Sequence, residues 1–275
     1  VAVCDAASFY KSMKYFFAVF VGLVVSAFAV QGKDETDLSK AWQSMAGFSA
    51  GKAMKALEQL PATPEGQLAL ATGWLGIYPQ TPQNVERAKI MLKDLVAVDE
   101  RSNFQAAALY MLGRISHIFE ENQEEEAERY YHQLREEYPE NQLADSAAVK
   151  LTLITLGRLS SGSPNTEERS IIDALPVPRN RYAQGDFYYV LAEYYMERGD
   201  LSAALEQLMA VRELNALKGR TQAALLVQIG RVASLLKRPK IAIEAYESFQ
   251  QNFPNDDRKY MVSEELKVLL SGGSS

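Results

Sequence analysis

The chain has 275 residues, 47% hydrophobic and 23% charged, a balance that predicts a packed core and excludes wholesale disorder. Its 35 acidic and 29 basic side chains leave a net charge of −6, without the clustered cationic footprint that a nucleic-acid surface requires. The single cysteine, Cys4, excludes an intrachain disulfide and a thiolate metal site.

The first predicted element is an address. Met13-Lys14 is followed by an apolar run over 15–25 and then by Ser26-Ala27-Phe28-Ala29, a small-residue cleavage pattern. The run is shorter than the ~20 apolar residues that span a bilayer. Residues 13–29 therefore read as a signal peptide cleaved after Ala29, with 1–12 as an upstream extension or misassigned start, and the product is expected in the periplasm or outside the cell. An uncleaved signal is the alternative and would be the only membrane contact. No cysteine follows the run to carry a lipid.

Residues 30–66 are expected to form an N-terminal helical cap, with an amphipathic helix or helix pair over 42–60 that breaks near Gly47 and closes at Pro61. Beyond it, 67–270 reads as a repeat array. Trp74-Leu75-Gly76 precedes Ala88, Leu92 and Leu95, with Pro79 ending the first helix early. Next come Leu109, Leu112-Gly113, Ala127, Tyr131, Leu134 and Pro139. A degenerate unit follows, with a first helix over 143–159, Leu156-Gly157 near its crossing point and a loop near 160–165. Asn165 caps a short second helix with Glu168 reaching back, and Pro176 and Pro178 end it. Leu191-Ala192, Tyr195, Gly199-Asp200, Ala204, Leu208 and Val211 then repeat the arrangement. So do Leu226, Ile229-Gly230, Ala242, Tyr246, Phe249 and Pro254. A terminal helix over 262–270 and a flexible tail at 271–275 complete the chain.

Two intervals carry the periodicity. The small residues of each helix pair stand twelve apart at Ala192 and Ala204 and at Gly230 and Ala242. The second-helix alanines Ala88, Ala127, Ala204 and Ala242 are separated by 39, 77 and 38 residues, and the 77 is two periods. These residues resemble the tetratricopeptide repeat, in which small residues at a helix crossing are followed by a large aromatic, a further core residue and a closing proline. The resemblance implies an all-α, right-handed α-solenoid of about five to six antiparallel helix pairs. Gly113, Ala127, Ala192, Ala204, Gly230 and Ala242 are then structural crossing residues. The repeat ends at 137–141 and 252–255 are similar to those of bacterial envelope repeat proteins, which suggests a place in cell-envelope assembly.

The chemistry is sparse. His117 and His132 lack the helical spacing of a metal pair, so no metal or cofactor is expected. No phosphate loop, nucleophile elbow or cysteine nucleophile follows residue 29, and the chain is not expected to be an enzyme. Glu124-Glu125-Glu126 reads as a solvated first turn opposing the helix dipole. In each of the pairs Tyr130-Tyr131, Tyr188-Tyr189 and Tyr194-Tyr195, adjacent helical residues point about 100° apart, which predicts one ring in the core and one elsewhere. Tyr131, Tyr188 and Tyr195 are the predicted core members.

In the resembled family the concave groove is lined three residues before and one after the small crossing residue, and one turn beyond. Here those positions give Tyr110, Arg114 and His117, then Tyr189, Glu193 and Met196, then Arg231 with Val227 and Ser234. They predict a groove for a protein or peptide and a role as a binding scaffold or adaptor. The alternatives are an enzyme or enzyme subunit acting on envelope polymers through Glu193 or the Glu124 cluster, and a purely structural oligomer.

Overall fold

In the computed structural model the described residues are 37–47, 49–59, 62–98, 101–120, 123–159 and 165–272. The signal peptide at 13–29, the extension at 1–12, Cys4, most of the loop near 160–165 and the end of the tail lie outside them. Among the described residues there are thirteen helices and no strand. They fall into two compact units, 1–144 and 145–275.

The first unit opens with α1 (Asp37–Ala46) and α2 (Ala50–Leu57), two short amphipathic helices on either side of Gly47. Trp42 and Met45 from α1 and Met54 and Leu57 from α2 are buried together with Ala41, Ala50 and Ala53. α3 (Pro64–Gly76) starts on Thr63, whose side chain accepts from the Gly66 amide, with Pro64 in the first turn. It ends at Gly76, before Pro79, as the proline requires. α4 (Pro82–Val96) repeats the same start with Thr81 and Pro82 and buries Ala88, Leu92 and Leu95.

α5 (Asn103–Ile118) begins with a capping box between Ser102 and Gln105. It is buried over most of its circumference, from Ala106 through Gly113, which makes it the central helix of this unit. α6 (Glu124–Glu137) packs on it through Ala127, Tyr130, Tyr131 and Leu134.

α7 (Gln142–Arg158) leads into the second unit, followed by α8 (Thr166–Asp173), α9 (Arg181–Glu197), α10 (Leu201–Leu214), α11 (Gly219–Leu235), α12 (Pro239–Asn252) and α13 (Lys259–Gly272). Asn165 and Glu168 form the predicted reciprocal cap at the start of α8, with bonds of 2.9 and 3.0 Å. Three apolar clusters overlap along this unit. Val149, Ile172, Phe187, Leu191 and Ala204 join α7 to α10. Leu205, Leu208, Leu225, Ile229 and Ala242 join α9 to α12. Leu226, Tyr246, Phe249, Val262 and Leu266 join α11 to α13. Each helix therefore buries its faces against its neighbours in sequence, the arrangement a linear repeat requires.

The turn between paired helices recurs as well. The amides of Gly199 and Asp200 bond to the carbonyls of Met196 and Tyr195, and those of Lys237 and Arg238 bond to Ser234 and Ala233 in the same pattern. Gly199 and Lys237 both take positive φ, 76° and 54°, each five residues before a second-helix alanine.

Candidate functional site

The crossing residues form the rigid frame. A Cβ on Gly113 would lie 2.5 Å from Tyr131 Cε1, and one on Gly230 would lie 2.2 Å from Tyr246 Cε1. Each glycine thus seats the aromatic ring placed four residues after the alanine of its paired helix. Ala127, Ala192, Ala204 and Ala242 are all fully buried. Gly157 differs: it is exposed and a Cβ there would meet nothing within 4 Å. Its neighbour Leu156 is buried, at 5% exposed.

The predicted groove residues divide. Tyr110 is only 5% exposed and packs on Tyr131 with ring centroids 6.1 Å apart. It is a core residue, which corrects its assignment to an open groove. α5 is enclosed on nearly all sides, and a position that would face outward on a half-buried helix is interior there. Arg114 and His117 are half-buried. In the second unit Tyr189 is half-buried, Glu193 is exposed, and Met196 packs partly against the α9–α12 cluster. Arg231 is exposed on α11 and Val227 is partly covered by the α11–α13 cluster.

The tyrosine pairs also depart from expectation. Tyr130 and Tyr131 are both buried, as are Tyr194 and Tyr195, whose rings meet edge to face at 5.6 Å. A helix packed on two sides buries directions 100° apart at once. Tyr188 is only partly buried against Phe187.

Nor is the Glu124 cluster uniformly solvated. Glu124 and Glu125 are exposed, but Glu126 enters a polar network that ties α4, α5 and α6 together. Lys89 Nζ lies 2.6 Å from Glu120 and 3.4 Å from Glu126, and the Ser116 hydroxyl donates to both carboxylates at 3.2 Å. The Tyr130 hydroxyl also donates to Glu126. Partial burial alone would push the Glu126 carboxyl up and the Lys89 ammonium down. Their mutual attraction and hydrogen bonding win, holding Glu126 below and Lys89 above their ordinary values.

The depressed carboxyl contributes stability above its ordinary value of 4.5 and loses it as pH falls through the folded value. The raised ammonium contributes below 10.5 and loses it as pH rises through its own folded value. Glu126→Gln is therefore expected to flatten the acid limb of a melting-temperature profile. Lys89→Met is expected to cost about 1–3 kcal/mol at neutral pH by leaving two carboxylates short of a partner. An unchanged acid limb in Glu126→Gln would show the network to be inert.

One open cleft uses the predicted groove. α7 contributes Leu153, Leu156 and Gly157, and α9 contributes Tyr189, Val190, Glu193, Tyr194, Glu197 and Arg198, around a volume of about 400 Å³. Glu193 and Glu197 stand one helical turn apart and both are exposed. Gln228 of α11 donates to Glu193 at 3.5 Å. Burial, reinforced by Glu193, raises the Tyr189 phenol, so it remains a neutral donor. Leu153, Gly157, Tyr194, Glu197 and Gln228 are absent from the sequence-based assignment.

Among the described residues no three His, Cys, Asp or Glu side chains group to hold a metal ion, and no helix is long and apolar enough to cross a membrane.

Paired helices with a small-residue crossing, an aromatic seated on it and overlapping cores define an all-α helical-repeat protein. Two segments, residues 107–141 and 224–256, match the family model described as tetratricopeptide repeat. The chain thus carries tetratricopeptide repeats at these two segments, with no subfamily resolved. No curated protein matches it.

Proposed function

We propose that the protein is an interaction scaffold that holds a protein or peptide on its first-helix faces, and that it works after export, in assembly of the cell envelope. Tetratricopeptide repeats are suited to protein–protein interaction and are typically non-catalytic. The observation that carries the reading is the α7–α9 cleft, where the family's groove positions Tyr189 and Glu193 meet the exposed Leu153. Its carboxylates are exposed rather than desolvated, which favours recognition over acid–base chemistry. Export rests on the signal-like residues 13–29, and the envelope role on the repeat ends.

A photoreactive residue placed at Leu153 is expected to crosslink one partner in cells, whereas the same probe at Glu247, exposed on α12, is expected to capture none. Capture only at Glu247 would move the binding face to the second helices. Protein recovered from the same cells is expected to begin at Val30; an N-terminus preceding residue 13 would contradict export by this signal.

A further inference from the structure

The cleft carries a second layer of information in its unused polar atoms. Its floor is apolar, formed by Leu153 and Leu156 of α7 with Val190 of α9. Tyr194, 6% exposed, lines it and its buried hydroxyl has no hydrogen-bond partner among the described residues. Gln228 beside it directs its amide nitrogen to Glu193, and its buried carbonyl oxygen likewise has no partner. Arg198, the cation in the cleft lining, is already engaged: it donates to the Leu159 carbonyl at 3.2 Å and lies 4.6 Å over the Tyr194 ring. What remains exposed in the cleft is therefore mainly negative charge, from Glu193 and Glu197. Two exposed carboxylates one helical turn apart are matched by a donor-rich cation, and the apolar floor by an aliphatic or aromatic side chain.

We propose that the α7–α9 cleft recognises an extended peptide segment carrying an apolar residue next to arginine or lysine, with the apolar side chain on Leu153, Leu156 and Val190 and the cation between Glu193 and Glu197. This rests on the scaffold reading above and narrows it to one partner chemistry. A peptide rich in acidic residues, or one ending in a carboxylate at this cleft, meets like charge there.

The test uses the full chain and two fluorescein-labelled dodecapeptides, one alternating leucine with arginine and lysine, the other alternating leucine with glutamate. Fluorescence anisotropy is expected to show binding of the basic peptide alone. The Glu193→Gln, Glu197→Gln double variant is expected to weaken it about tenfold, since each exposed pair contributes modestly, with no change in melting temperature. The Glu206→Gln, Glu247→Gln pair makes the same charge change on exposed positions of α10 and α12 and is expected to leave affinity unchanged. Equal binding of both peptides, or equal loss in both double variants, overturns the proposal. If neither peptide binds while Leu153 still crosslinks a partner, the cation chemistry is wrong and the binding face stands. If crosslinking fails as well, both readings fall.

Discussion

Gly230→Ala and Gly113→Ala are each expected to destabilise the protein by about 1–3 kcal/mol, read as a fall in the denaturant midpoint at constant slope. The new methyl group would stand 2.2 Å from the Tyr246 ring in the first case and 2.5 Å from the Tyr131 ring in the second. Neither ring can swing away, because both tyrosines are fully buried. Alanine is the better helix former by up to about 1 kcal/mol, so steric overlap must exceed that gain for the sign to hold. Gly157→Ala supplies the internal control. That position has open space around it, and the same substitution there is expected to be neutral or stabilising by about 0.5–1 kcal/mol. Equal effects at all three glycines would mean that the crossing geometry is not what selects them.

The second large contrast concerns the rings themselves. Tyr131 and Tyr246 occupy the same repeat position, four residues after Ala127 and Ala242, and truncating either to alanine is expected to cost about 3–5 kcal/mol. Their hydroxyls have opposite fates. The Tyr246 hydroxyl donates to Glu265 on α13, and burial together with that carboxylate pushes its phenol well up, so the proton stays on the donor. The Tyr131 hydroxyl is buried without a hydrogen-bond partner among the described residues. Tyr246→Phe is therefore expected to lose about 1–2 kcal/mol and to loosen α13. Tyr131→Phe is expected to be neutral or to gain up to about 1 kcal/mol by removing an unsatisfied polar atom. Chemical denaturation of the two variants side by side decides it; the same sign in both would contradict the assigned environments.

These contrasts show what the amino-acid pattern carried. Small residues twelve apart are a strong local signal because only glycine or alanine lets two helices approach closely, and all six assigned crossing residues are buried. Caps were equally legible, since Asn165 and Glu168 satisfy each other within one turn. Burial of outward-facing positions was not, because it depends on neighbours elsewhere in the chain. Tyr110 stands at a groove position by spacing yet lies inside, and Glu126 belongs to a run of acidic residues yet pairs with Lys89, 37 residues away. The cleft wall at Leu153 was missed as well, because Gly157, near the expected crossing of α7, is exposed and marks no close helix contact. Local chemistry and periodicity thus gave the frame, and the surface left open between helices required the fold.

The most direct test of the scaffold reading is hydrogen–deuterium exchange of the full chain, alone and with the partner captured through Leu153. Slowed exchange confined to 142–158 and 181–197, the helices that line the cleft, is the predicted result. Protection confined to α10 and α12, with α7 and α9 unchanged, would contradict it.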